Sequence, residues 1–297
     1  MRKITFIFCV LAFSALLVKP GNAREKEVTV LYTANSNGKL RACGCPNDPY
    51  GGLAERVTLI RELRKKEKPF LLVDSGNMVS LFGGYEFKAS IVMRIMNLMK
   101  YDVSAAGRNE MFKSISGSHA VSNAAEFPLI SASIADKADQ NLVFNPYTIK
   151  KINGTTVAVT AVCDSTCYIR MNQEYDYMVL PADELLKEIL SDISMKSDFI
   201  IVLSQMAPDS NKKLLEDFPE IDLIVEGYGN KKYDPPVKTS NGIIVSPGTY
   251  GQFIGLVTLN KSDGNLTVKR SEMIPVLDVQ EDKKAAKIVL EYFNRRP

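Results

Sequence analysis

Histidine is almost missing from this chain, since His119 is the only one among 297 residues. A metal centre built on imidazoles is therefore excluded, and a lone histidine is more often a surface or core residue than a ligand. After the first twenty residues no second long apolar run appears, so the rest of the chain offers no bilayer span. Basic residues are scattered: the net charge is +3 and no cluster is denser than the one at 61–68, which has the pattern of a solvated helix face. Nucleic acid is not an expected partner. There is no Cys-x-x-Cys-His and hence no motif for covalent haem. Repeats, low-complexity tracts and linkers are also missing, and with 45% hydrophobic and 24% charged residues the chain has the composition of an ordered protein with a full core.

What is present begins with a leader. Arg2 and Lys3 precede an apolar run over 4–18, followed by Lys19, Pro20 and the small residues Gly21 and Ala23. This is the layout of a cleaved signal peptide, 1–23, and it predicts a secreted or periplasmic protein in which 24–297 forms one domain with no transmembrane anchor. Cys9 lies inside the apolar run, where no lipid-anchor signal would place it. Cleavage leaves Cys43, Cys45, Cys163 and Cys167, an even set that in an exported chain points first to disulfides. Spacing does not give their connectivity.

Short runs rich in β-branched residues at 28–32, 70–73, 103–106, 129–133, 156–162, 199–203, 223–225, 243–245 and 254–259 read as strands. Helical periodicity lies between them at 53–66, 88–99, 181–194 and 211–218, and again at 284–293. Alternating strand and helix predicts an α/β layered fold. Turn signals at Asn241-Gly242, Pro247-Gly248 and Asp263-Gly264 predict that antiparallel strands finish a second sheet.

The turns after these strands carry, in order, Thr33-Ala-Asn-Ser-Asn-Gly38, Gly51-Gly-Leu-Ala-Glu-Arg56, Asp74-Ser-Gly-Asn77, Gly107-Arg-Asn-Glu110, Leu203-Ser-Gln205 and Gly227-Tyr-Gly-Asn230. The ordered series resembles the 5′-nucleotidase and UDP-sugar hydrolase branch of the calcineurin-like metallophosphatases, over roughly residues 28–259. That family reads Thr-Asn-Asp-x-His-Gly, Gly-Gly-Leu-Ala-Arg, Asp-x-Gly-Asp, Gly-Asn-His-Glu, Leu-Ser-His and Gly-His-x-His. The resemblance implies an α/β fold of four layers, α/β/β/α, with two mixed sheets. It also implies a hydrolase that uses two divalent metal ions on phosphate esters. The family's longer members add a C-terminal domain that stacks the nucleobase, and the resemblance here covers the N-terminal domain only, so nucleotide selectivity has no evident carrier.

Two dications roughly 3.5–4 Å apart repel by about 19 kcal/mol even at an effective dielectric of about 20. Anionic ligands must offset that. By the resemblance, the bridging aspartate stands at Asn77 and the other aspartate at Asn35, while the histidine positions hold Asn37, Gln205, Tyr228 and Asn230. The family's asparagine ligand falls on Arg108 and its catalytic histidine on Asn109, followed by Glu110. Amides bind a hard cation weakly and cannot balance two dications. The expectation is no metal, no cofactor and no catalytic residue, hence a pseudoenzyme; the alternative is an active hydrolase with two divalent ions.

One arginine among amides suits an anion. Arg108 with Asn35, Asn37, Asn77 and Asn109, joined by Gln205, Tyr228 and Asn230, is the candidate pocket for a small anion or polar ligand. The alternative is a remnant, with Arg108 turned to solvent or paired with Glu110. Gly51-Gly52 reads as a tight turn into a helix rather than as a phosphate cradle. The cysteine constellation Cys43, Cys45, Cys163 and Cys167 leaves three readings open: structural disulfides, a four-cysteine metal site, or thiol-disulfide redox work through a small Cys-x-Cys ring. The partner is an unidentified small anion or protein.

Overall fold

The computed structural model describes residues 25–45, 49–81, 85–111, 114–164 and 175–295, so the expected leader at 1–23 and Cys167 lie outside the described residues. β1 (Lys26–Thr33), β2 (Leu71–Asp74), β3 (Val103–Ala105) and β4 (Leu129–Ile130) run parallel. β13 (Phe253–Ser262) pairs antiparallel with the other edge of β1 and β14 (Asn265–Pro275) with β13, giving the order β14-β13-β1-β2-β3-β4. The second sheet has the order β11-β12-β10-β9-β7-β6, from β6 (Tyr147–Ile152), β7 (Thr155–Cys163), β9 (Phe199–Gln205), β10 (Leu223–Glu226), β11 (Val237–Lys238) and β12 (Ile243–Val245). A short ribbon pairs β5 (Ile134–Asp136) with β8 (Tyr177–Val179).

Alternate residues of one strand face opposite sides of its sheet, and in β1 Val30 and Tyr32 meet the second sheet while Leu31 meets helices. The inter-sheet layer joins Val28, Val30, Leu71 and Val73 to Val157, Val159, Phe199 and Ile201. The helices α1 (Leu53–Lys66), α2 (Tyr85–Met99), α3 (Ile115–Ala124) and α6 (Lys283–Asn294) cover the outer face of the first sheet with residues such as Val57, Ile91, Val121 and Ile288. On the second sheet, α4 (Ala182–Ile193) and α5 (Pro208–Asp217) bury Leu186, Ile189 and Leu214 against Ile200, Val202 and Ile224. The order is α/β/β/α, with both sheets mixed.

The helix at 53–66 has the limits its periodicity predicts, and Gly51 and Gly52 ahead of it take φ of 97° and 107°, which supplies the tight turn. The expectation for the later strands needs correction. The strand at 243–245 runs parallel to β10, and the one at 254–259 returns to β1, so the antiparallel hairpin completes the first sheet. Six elements, β5, β6, β8, β11, β14 and α3, had no clear signal. In α3 Ser, Gly and Asn dilute the apolar stripe, and the helix is started by Ser114, whose hydroxyl accepts from the Gly117 N–H at 3.1 Å. In β14 charged residues fill an edge strand, and Arg270 is held by Glu67 and Glu272.

Every parallel strand of both sheets directs its C-terminal end to one side, where turns converge. β1 is pressed close to its neighbour there, because Tyr32 pairs with Gly255 and a Cβ at that glycine would stand 2.0 Å from Tyr32 Cζ. Gly255→Ala should lower stability by about 1–3 kcal/mol through overpacking. The Tyr32 hydroxyl is buried without a partner among the described residues, so Tyr32→Phe should not lower it; urea denaturation of both variants checks the pair.

Candidate functional site

Asn35 and Asn37 stand on the turn after β1, Asn77 on the turn after β2, Arg108 to Glu110 after β3, and Gln205 at the end of β9. The turns are stitched by their backbones: Asn35 N–H donates to Gly76 O at 2.9 Å, Asn37 N–H to Asn77 O at 2.8 Å and Tyr250 N–H to Asn35 O at 2.7 Å. A cavity of about 440 Å³ opens between them, lined by Asn35, Asn37, Asn77, Ser80, Leu81, Arg108, Asn109, Gly229, Asn230 and Tyr250. Six of the eight pocket positions read from the sequence thus share one wall. Gln205 stands behind it, and Tyr228 packs instead against the helix-side apolar cluster.

The amides bond to one another. Asn77 Nδ2 donates to Asn35 Oδ1 at 2.9 Å and to Gln205 Oε1 at 2.8 Å, while its Oδ1 accepts from the Asn109 N–H at 3.0 Å. Asn109 Nδ2 donates to Asn37 Oδ1 at 2.9 Å and to Val79 O at 2.8 Å. Asn37 Nδ2 in turn donates to Asn35 O at 2.9 Å and Thr249 Oγ1 at 3.1 Å. Both amide hydrogens of Asn37, Asn77 and Asn109 are therefore engaged inside the network. Gln205 Nε2 donates to Ser75 O, and Asn35 Nδ2 to Gly229 O at 3.0 Å. Local backbone geometry favours the same residue type: φ is 50° at Asn35, 48° at Asn37 and 57° at Asn77, a left-handed region that asparagine tolerates best after glycine.

Charged groups lie beneath. Glu110 is fully buried and accepts from the N–H groups of Asn77 at 2.9 Å, Met78 at 2.8 Å, Val79 at 3.2 Å and Gly107 at 2.9 Å. Burial, with Asp74 nearby, pushes its carboxyl up to about 7 against the pull of those N–H bonds. Asp74 accepts from Thr33 Oγ1 at 2.5 Å and the Gly76 N–H at 2.8 Å, and burial pushes it up to about 6, opposed by Thr33 and the charge of Arg56. Arg56 itself is fully buried and donates to Ser36 Oγ at 2.8 Å. Arg108 is half-buried at the cavity wall, and its Nε is buried with no partner among the described residues.

These residues do not fit two dications. The oxygens of Asn35, Asn37 and Gln205 that could ligate already accept amide hydrogens, and the cavity wall carries a guanidinium. Among the described residues no group of three or more His, Cys, Asp or Glu is placed to hold a metal ion. His119 is exposed on α3, away from these turns. Of the cysteines among the described residues, Cys43 is bonded to Cys45, and Cys163 is buried at the end of β7, its N–H donating to Ser133 Oγ at 3.2 Å. Sequence reasoning passed over Thr249 and Tyr250, though Pro247-Gly248 marks a turn after a strand, the same position that flagged the other loops.

No family model matches the chain. In sequence it is similar to the snake venom 5′-nucleotidase of Crotalus adamanteus, 24% identical over 297 residues that cover 88% of this chain and 48% of the relative. In structure it is similar to the 5′-nucleotidase precursor from Thermus thermophilus, with a TM-score of 0.79 at 19% identity over 91% of this chain and 59% of that one. The calcineurin-like phosphoesterase YfkN from Bacillus subtilis gives a TM-score of 0.73 at 18% identity, over 91% of this chain and 98% of that one. The chain spans about half the length of the curated relatives it matches. Its relatives and structural neighbours are 5′-nucleotidases and calcineurin-like phosphoesterases, and its fold is the metallophosphatase fold.

Asn77→Asp should lower stability by about 1–3 kcal/mol at neutral pH, because a carboxylate would face two acceptor oxygens. That carboxyl would have a raised pKa, so the loss should shrink in acid, as denaturation at two pH values would show. In the unaltered protein Asp74 and Glu110 keep their protons to about 6 and 7, from ordinary values of 3.8 and 4.5. The folded state then binds protons that the unfolded chain releases, so their contribution should fall as pH rises from about 4 to about 7 and level off above. Denaturation midpoints across that window check the sign.

Proposed function

We propose that this chain is an exported, non-hydrolytic protein on the metallophosphatase fold, whose cavity at the strand ends takes a small anion through Arg108. The observation that carries the reading is the closed amide network at the positions where the resemblance puts metal ligands, with a guanidinium beside it. A two-metal hydrolase needs anionic ligands to hold its ions and to lower the pKa of bound water. Neutral amides bring no negative charge and supply neither.

The network also narrows how an anion would be held. Because Asn37, Asn77 and Asn109 use their amide hydrogens on neighbouring protein oxygens, they shape the wall and Arg108 supplies the charge. An oxyanion bound at the cavity wall would accept from the Arg108 guanidinium, and a charge-assisted bond of this type contributes about 1.5–3 kcal/mol. Relatives named 5′-nucleotidase make phosphate and nucleotides the first ligands to try. Export rests on the leader pattern at 1–23; among the described residues no helix is long and apolar enough to cross a membrane.

The purified protein should release no phosphate from AMP or p-nitrophenyl phosphate with added Mg²⁺, Mn²⁺, Zn²⁺ or Co²⁺. Calorimetric titration with phosphate, sulfate and AMP should give binding heat for at least one, weakened about tenfold or more in Arg108→Ala, in line with the loss of one charge-assisted bond. Turnover by protein that holds two ions per chain would overturn the non-hydrolytic reading. Silence of both forms towards all three anions would overturn the binding reading.

A further inference from the structure

Outside the cavity, the loop that leaves the first motif carries a disulfide between Cys43 and Cys45, two positions apart in the chain. A bridge that stabilises a fold ties distant segments together, and its constraint on the unfolded chain shrinks as the closed loop shortens. This one encloses a single residue and joins no two elements of the fold. Both cysteines and the intervening Gly44 are exposed, and a Cβ built on Gly44 would meet nothing within 4 Å. Exposed disulfides are the ones that exchange.

The stem beneath the bridge is anchored. Arg41 forms a β-bridge with Gly52, the Leu53 N–H donates to Leu40 O at 3.1 Å, and the Arg41 guanidinium lies 4.7 Å from the centre of the Phe293 ring. The tip is also asymmetric. The Cys45 N–H points at Cys43 Sγ at 3.1 Å, so negative charge that develops on Cys43 is stabilised by a donor already in place.

We propose that Cys43–Cys45 is a redox site that accepts two electrons from a protein dithiol. A thiolate of the partner attacks Cys45 Sγ and forms a mixed disulfide, the Cys43–Cys45 bond breaks, and Cys43 leaves with the bonding pair as a thiolate held by the Cys45 N–H. The partner's second thiolate then attacks the partner sulfur of the mixed disulfide and releases Cys45. The partner departs with a new disulfide; this chain keeps two electrons and takes up the two protons that the dithiol gave. Neither the cavity nor Arg108 takes part, so this site and the anion site stand or fall separately.

The test uses the full chain in glutathione buffers of graded ratio, quenched by alkylation, with peptide mass mapping of residues 43–45 and circular dichroism to verify that the protein stays folded. The pair should pass from bonded to reduced within the glutathione range while the fold is unchanged. Cys43→Ser should keep a glutathione adduct on Cys45, since no resolving thiol is left beside it. Cys43→Ser/Cys45→Ser together should unfold at the same urea concentration as the unaltered protein. A bridge that is reduced only after unfolding, a folded Cys43→Ser that takes up no glutathione, or a clear drop in the double variant's urea midpoint would overturn the proposal.

Discussion

The side chain of Asn77 holds the cavity together, because it reaches from the first sheet to both Asn35 on its neighbouring turn and Gln205 on the second sheet. A donor with two hydrogens placed between two acceptor oxygens closes that junction without charge. A carboxylate at the same place would need a cation to offset the two facing oxygens, which is the role the resembled family gives its metals. The residue at 77 therefore decides between two self-consistent sites, one ionic and metal-dependent, the other neutral and complete in itself. This chain has the neutral one, and Asn35, Asn37, Asn109 and Gln205 are all matched to it.

Neutrality at the wall contrasts with the charge beneath it. Glu110 gathers four backbone N–H groups from the turns after β2 and β3, and Asp74 ties the end of β2 to Thr33 and Gly76. These carboxyl groups hold the turns that present the asparagines. Removing acceptors from buried N–H groups costs about 1–3 kcal/mol for each one left unmatched. Positive φ at Asn35, Asn37 and Asn77 adds a backbone reason for the same amides. Side-chain chemistry and backbone conformation thus favour asparagine independently at these three positions.

The fold presents its other reactive group quite differently. The cavity is built from turns of both sheets and depends on the whole packing, whereas the Cys43–Cys45 loop is local and exposed, with its stem fastened to the start of α1. A local, exposed group is free to change chemical state without disturbing the layers behind it. A convergent one is not, because Asn35, Asn37, Asn77 and Asn109 are one another's neighbours in a single hydrogen-bond network.

The sequence alone carried the layered α/β class, most strands and helices, and the identity of the turns that meet, because β-branched runs, helical periodicity and glycine-bearing turns are local signals. The segment at 53–66 kept its predicted limits, while the charged edge strand at 265–275 and the serine-rich helix at 115–124 escaped, their stability coming from pairing and capping rather than from pattern. By resemblance it also put Asn77 and Asn35 at positions where the family has aspartates, and Arg108 where the family has an asparagine. Only the tertiary structure decided what those residues do to one another. Whether an amide hydrogen points into a cavity or at a neighbour's oxygen depends on distances between turns far apart in the chain, such as the 2.8 Å from Asn77 to Gln205. The return of β13 to β1, and the packing of half-buried Tyr228 against the helix-side cluster rather than in the cavity it was expected to line, are decisions of the same kind. They follow from which surfaces pack, and no local pattern encodes that.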